Sequence, residues 1–156
     1  MNAPFAPGRE IVRAVDLRQP DEAARIEGFV AETAGTLFHR PAWLLAAERG
    51  AGLRARGLLT EKRGAITGWL PLSEVHSPIF GRVLASSGFA VGGGVLAESR
   101  GAAETLFRAA EELAARLSCQ TIELRGGPAP KGWTVRTDSH CGFAAPLADD
   151  DEKQLL

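Results

Sequence analysis

Residues 53–62 and 65–75 are two strand-like stretches of similar length, separated only by Arg63-Gly64, and this arrangement constrains the chain more than any other feature. Two strands joined by a two-residue, turn-forming pair have no room for a crossover, so they pair antiparallel as a hairpin. Pro71 lies inside the second stretch. A proline donates no ladder hydrogen bond, which predicts a bulge or an edge position there. The rest of the chain must then supply further strands and the helices that cover the sheet.

Upstream, residues 11–17 alternate partly between apolar and polar and suit a strand. Pro20 opens a helix at its first position, Asp21 and Glu22 favour the positive end of its dipole, and Ile26, Phe29, Val30 and Ala34 follow one face up to Gly35. A second, shorter helix has Pro41 near its start, Trp43, Leu44 and Ala47 in its body and Gly50 just beyond it. Downstream, an extended stretch over 82–86 leads into Gly92-Gly93-Gly94. Ser99 then caps the strongest helix, with Ala103, Leu106, Ala110, Leu113, Ala114 and Leu117 along one face. Residues 121–125 alternate as a strand, 126–132 form a Gly/Pro-rich loop, and 133–137 and 141–147 read as the last strands before an acidic tail. Strand, two helices, an antiparallel meander, a long helix and further strands make an α+β layered sandwich.

Length and charge exclude several classes. The 156 residues, 45% of them hydrophobic, suffice for one substantial core, so a single domain over 1–156 is expected. With 18 basic and 19 acidic residues the formal charge is -1. Such a chain has no general field for nucleic acid or an anionic membrane, so no DNA partner is expected and any anion site must be local. No apolar run reaches membrane-spanning length, and Met1 to Glu10 carries prolines and charges where a signal peptide needs an apolar stretch, so a cytoplasmic protein without membrane insertion is expected. Cys119 and Cys141 form neither a disulfide framework nor a zinc pattern, and His76 and His140 lack partners at metal-ligand spacing.

Four short segments carry a resemblance. Phe38-His39-Arg40-Pro41-Ala42-Trp43, Gly68-Trp69-Leu70-Pro71-Leu72, Ser77-Pro78-Ile79-Phe80-Gly81-Arg82 and Ile122-Glu123-Leu124-Arg125 are similar, in this order and spacing, to motifs of FemAB-like proteins in the GNAT acyltransferase superfamily. The resemblance is to the subgroup associated with exosortase and PEP-CTERM systems, and it extends from Thr36 to Leu147. It implies a GNAT-like layered sandwich, built on a central, mostly antiparallel mixed sheet flanked by helices. It further implies an aminoacyl or acyl transferase domain, with acyl-CoA or aminoacyl-tRNA as donor and no tightly bound cofactor. The acceptor would be a small molecule or a cell-envelope or exopolysaccharide precursor. FemAB proteins comprise two GNAT-like halves, so the chain is expected to be the first, acceptor-binding half. A second half or a homodimer would complete it, and the alternative is a non-catalytic interaction or dimerisation module. In Ser87-Gly88-Phe89-Ala90-Val91-Gly92-Gly93-Gly94 glycine stands at the subgroup's proline and tyrosine positions, and the chain contains no tyrosine.

The substrate-binding candidates are His39, Trp43, Arg82, Phe89, Gly92, Gly93, Glu123 and Arg125, and no residue is assigned as catalytic. His39 is either a proton carrier or acceptor-binding group, or a capping and packing histidine. Trp43 is most simply core. The glycine cluster either lets backbone amides approach a phosphate or makes a tight turn or close packing contact; it lacks the P-loop ending and the G-x-G-x-x-G spacing. Glu123 and Arg125, two apart on a strand, share a face as a polar cleft lining or as a solvated ion pair. Arg82 either holds a phosphate or caps an exposed loop.

Overall fold

The computed structural model describes residues 10–79, 81–138 and 146. Its centre is the expected hairpin, β2 (Arg54–Lys62) and β3 (Ala65–Ser77), joined through Arg63 and Gly64 at φ 53° and 82°. Both turn residues are left-handed, which matches the right-handed twist of the strands. β1 (Ile11–Ala14) pairs antiparallel with the outer edge of β2. On the other side, β4 (Gly81–Ser86) pairs antiparallel with β3. β5 (Leu96–Ala97) pairs with β3 at Gly68 and Trp69, and β6 (Thr121–Glu123) pairs parallel with β4. The six-stranded mixed sheet has the order β1-β2-β3-β4-β6, with β5 beside β3.

Strand alternation sends side chains to two helical layers. Leu58, Leu70, Leu72 and Leu84 pack with Ala103, Leu106, Phe107 and Ala110 of α3 (Arg100–Arg116). On the opposite face Leu59 and Trp69 pack with Ile26, Phe29 and Val30 of α1 (Pro20–Glu32) and Leu44 of α2 (Pro41–Ala51). Ile26, Leu44, Leu59, Trp69 and Leu106 are fully covered, and each such side chain contributes roughly 1.5–3 kcal/mol. The helix signals act as read. Pro20 and Pro41 stand at helix starts, and the Ser99 hydroxyl accepts the Ala102 N–H at 3.1 Å. α3 is also the crossover that a parallel β4/β6 pair requires. Among the described residues no helix is long and apolar enough to cross a membrane.

Four expectations change. Pro71 is neither at a bulge nor on an edge: it is buried in the central strand opposite Gly57, and the register shift lies at Thr60/Glu61 instead. Gly57 turns its carbonyl to the N–H of Val15, just past the end of β1, so by antiparallel geometry Pro71 turns its nitrogen away from β2. There the neighbour of β3 changes from β5, at Gly68 and Trp69, to β4, which begins opposite Leu72. There the Pro71 carbonyl accepts the Ser87 N–H at 3.2 Å just past the end of β4, while the Ser87 carbonyl turns to the Ala90 N–H at 3.1 Å, so the missing Pro71 N–H leaves that carbonyl paired elsewhere. α2 runs through Gly50 to Ala51 and is capped by Gly52 at φ 69°, whose N–H bonds the Glu48 carbonyl. Ala34 lies beyond α1 at φ 51°, exposed rather than on its apolar face. Residues 133–137 are irregular rather than a strand; the expected strand over 141–147 falls outside the described residues, apart from 146.

The β1/β2 edge carries an ion-pair network. Glu61, 7% exposed, receives Arg13 Nε at 2.7 Å and Arg25 on its other oxygen, while Arg13 and Arg25 both reach Glu22. The arginine hydrogen bonds hold the Glu22 and Glu61 carboxyls below their ordinary range.

Candidate functional site

β4 and β6 pair only over Val83–Ala85 and Thr121–Glu123. One residue on, the Arg125 N–H bonds the Ser86 hydroxyl at 2.8 Å instead of continuing the ladder. The chain after Ser86 folds over this end of the sheet as a loop, 87–95, and is fastened on three sides. Towards α2, Trp43 Nε1 donates to the Gly88 carbonyl at 3.0 Å, and the Ser87 hydroxyl donates to the Phe38 carbonyl. Underneath, the Gly88 N–H bonds Ser73 Oγ at 2.9 Å. Towards β6, Arg125 Nη1 reaches the Ala90 carbonyl at 3.3 Å. Gly94 lies so near the turn after β6 that a Cβ there would sit 2.0 Å from the Gly126 carbonyl oxygen. Two non-glycine residues of the loop, Ser87 (φ 43°) and Phe89 (φ 59°), are left-handed, a region L side chains adopt at a cost.

The histidine of the FHxPxW segment is the loop's strut. His39 is buried; its Nδ1 accepts the Thr36 N–H at 3.0 Å and its ring also meets the Gly94 backbone, while its carbonyl accepts Trp69 Nε1 at 2.8 Å. Burial, the largest influence on it, pushes its pKa below the ordinary histidine value. The ring has partners on both sides and closes the capping box of the Leu37–His39 turn. Trp43 is half-buried and meets Phe38 edge to face at 4.9 Å.

The other candidates fall in the same place, with one exception. Gly93 packs on Ser87 and Phe38, Gly92 lies against Gly126, and Phe89 projects outward, 68% exposed. Arg125 Nε and Glu123 form an ion pair at 2.8 Å, with side chains 36% and 51% exposed. The glycine cluster thus makes close packing contacts, and Glu123 and Arg125 form the solvated pair, with Arg125 also tying down the loop. Arg82 stands at the opposite end of β4, where Nη1 bonds the Leu117 carbonyl at 2.8 Å just past the end of α3. It caps a helix terminus and is not brought to the loop.

A neighbouring feature escaped the sequence reading. A cleft of about 980 Å³ opens between α3 and the stretch after β6. Val95, Ala97, Ala103 and Phe107 give it an apolar base, Pro128, Pro130 and Trp133 line it, and Arg100, Arg108 and Lys131 bring three cations to it beside Glu104 and Glu111. Trp133 Nε1 donates to Glu111 Oε1 at 3.0 Å, which ties the far wall to the helix. On the sequence, Glu104, Arg108 and Glu111 read as the solvated face of an amphipathic helix; only the two prolines and two glycines between 126 and 130 hinted that a wall would stand opposite. The glycine loop and the cleft adjoin, because Val95 ends the loop, lines the cleft and packs against Gly127. Among the described residues no three His, Cys, Asp or Glu side chains gather as a metal site.

No family profile matches the chain, and no curated protein matches its sequence. Solved structures do match. The ribosomal-protein-alanine N-acetyltransferase of Brucella melitensis biovar Abortus 2308 superposes with TM-score 0.57 at 13% identity, over 86% of this chain and 99% of that one. A GNAT family acetyltransferase of Staphylococcus aureus superposes with TM-score 0.54 at 17% identity, over 88% and 98%. A predicted acetyltransferase of Clostridium acetobutylicum, solved with acetyl-CoA, gives TM-score 0.52 at 11% identity, over 87% and 96%. At such identities the likeness establishes the fold, and the fold is that of the GNAT acetyltransferases.

Proposed function

We propose that this chain is a FemAB-like acyltransferase domain that takes an acyl-CoA donor in the cleft beside α3 and an acceptor amine at the 87–95 loop. The observation that carries this reading is the cleft. Acyl-CoA combines a long, mainly apolar arm with a polyanionic end, and the cleft combines an apolar base with Arg100, Arg108 and Lys131. Ser99 and Arg100 also set the positive end of the α3 dipole at its border. The Arg100–Glu104 pair spans 2.9 Å with side chains 86% and 57% exposed; a pair so exposed is weak, and Arg100 can exchange it for a phosphate. The Clostridium neighbour, solved with acetyl-CoA, supports the choice of donor.

In the transfer, the acceptor nitrogen forms the new C–N bond as the thioester C–S bond breaks, and the amine proton passes to the departing sulfur through solvent. His39 is too enclosed to take that proton, so the chain contributes mainly position. The finer part of the reading rests on the ordered motifs between Thr36 and Leu147. They favour a cell-envelope or exopolysaccharide precursor as acceptor, with aminoacyl-tRNA as the competing donor. A second GNAT-like half or a second copy would complete the site. A second reading, a non-catalytic association module, draws on the exposed Leu37, Phe89 and Val91.

Calorimetric titration with acetyl-CoA separates the two. The acyltransferase reading expects saturable binding that weakens about tenfold in Arg108→Ala/Lys131→Ala and weakens further with added salt. No binding at about 1 mM ligand, together with self-association seen by light scattering, leaves the association module.

A further inference from the structure

Resting on the acyltransferase reading above, we infer that Phe89, with Val91 and Leu37, forms an apolar lip that selects an acceptor amine carried on an uncharged alkyl or aryl body. The three side chains are 68%, 63% and 55% exposed. Phe89 and Val91 belong to the loop, and Leu37 is tied to it because the next residue, Phe38, accepts the Ser87 hydroxyl through its carbonyl and packs against Gly93.

Stability does not account for this arrangement. Phe89 is left-handed, two residues after the left-handed Ser87, and such backbone persists only where its surroundings over-determine it. Here they do, through Trp43 on Gly88, Ser73 on Gly88, Phe38 on Ser87 and Arg125 on Ala90. Each of these bonds fixes a residue within two positions of Phe89, and its ring stays exposed. The loop is built to hold an aromatic face in water, where a ligand meets it without ordering the loop first.

Charge decides what kind of body fits. Two arginines adjoin the lip and each is paired: Arg125, whose Nη1 reaches the Ala90 carbonyl, with Glu123 at 2.8 Å, and Arg40, which follows the Leu37 turn, with Glu27 at 2.8 Å. A polycationic acceptor gains little from such a surface. A phenyl or alkyl body gains the area of the Phe89 ring and the two aliphatic side chains.

The experiment titrates the chain, without donor, with 2-phenylethylamine, ethanolamine and an aminoglycoside, following binding by NMR shifts of the loop amides. 2-Phenylethylamine is expected to bind at least about tenfold more tightly than the other two. Phe89→Leu should keep most of that preference and Phe89→Asn should lose it; asparagine tolerates the left-handed region, and thermal melts check that the variant folds. Equal affinity of Phe89→Asn and the unmodified chain for 2-phenylethylamine overturns the inference, as does ethanolamine or the aminoglycoside binding equally well. A parallel acetyl-CoA titration of the unmodified chain tests the parent reading alone: its failure removes the acyltransferase, while the lip is judged on the amine titrations.

Discussion

The two ends of the sheet are held by different chemistry. At the β1/β2 edge, Arg13, Glu22, Arg25 and Glu61 form a closed set of ion pairs that staples α1 to the strands. At the β4/β6 end the described residues show one ion pair, Glu123 with Arg125, and the chain leaves the sheet in a loop fixed by backbone acceptors, Arg125, a buried histidine, a tryptophan N–H and close glycine contacts. The charged edge pairs its own groups with one another. The loop end tolerates left-handed side chains and an exposed phenyl ring. Rigidity is spent on stability at the first end and on presentation at the second, which is why the candidate site belongs to the second.

The largest expected effect tests how the loop end is closed. Gly94→Ala must displace the Gly126 carbonyl, a backbone atom 2.0 Å from the new Cβ, and should cost about 3 kcal/mol, the upper range for overpacking. Chemical denaturation measures it, and the loss should be the same at low and high salt. Glu61→Gln tests the other end. It leaves two arginines short of their shared carboxylate, and the loss should be about 2 kcal/mol, less than for a fully buried pair because the arginine side chains remain 33% and 39% exposed. Unlike the glycine variant, it should cost less at 1 M salt. A salt-independent Glu61→Gln would mean that packing, not charge, holds the edge.

Acid should separate the ends as well. Burial lowers the pKa of His39 below the ordinary 6.5, so over the interval beneath 6.5 the unfolded chain binds more protons than the folded one and stability falls as pH falls. Glu22 and Glu61 are lowered from 4.5; their contribution is complete above 4.5 and is lost as pH drops through their folded values. Denaturation curves between pH 7 and 3 should therefore show two declines. His39→Gln should remove the upper one, at a cost of about 1–2 kcal/mol at pH 7 from the lost hydrogen bonds, and Glu61→Gln should flatten the lower one. An upper decline that survives His39→Gln would assign it elsewhere.

What the sequence showed and what it hid follow the same division. The hairpin, the prolines at helix starts and the Ser99 cap depend on residues a few positions apart, and they were legible. The 36–43 segment, with His39 and Trp43, and the 87–95 loop, with Phe89, Gly92 and Gly93, hold one another directly, and no local pattern in the sequence paired them. Arg82 stands near the start of β4 and the glycines follow its end, so the strand itself keeps them apart, while the parallel pairing of β6 with β4 brings Glu123 and Arg125 to the glycine end. The cleft was invisible because its walls come from α3 and from 128–133, and neither shows an apolar period pointing to the other. Pro71 could not be placed without knowing that β3 changes neighbours beside it.

The smallest expected effect is also the one with the opposite sign. Phe89→Asn replaces an exposed ring at φ 59° by the non-glycine residue type best suited to that region. No hydrogen bond of the loop uses the Phe89 side chain, so the change should relieve strain without breaking a contact and raise stability by about 0.5 kcal/mol. No matching gain should come from the charged edge, where Arg13, Glu22, Arg25 and Glu61 are all paired. The melting temperature and amine affinity of Phe89→Asn should then move in opposite directions, stability up and binding down, as expected of a residue retained for recognition. A lower melting temperature would show that the ring covers part of the fold, and the contrast between a stapled edge and a presenting loop would lose its main support.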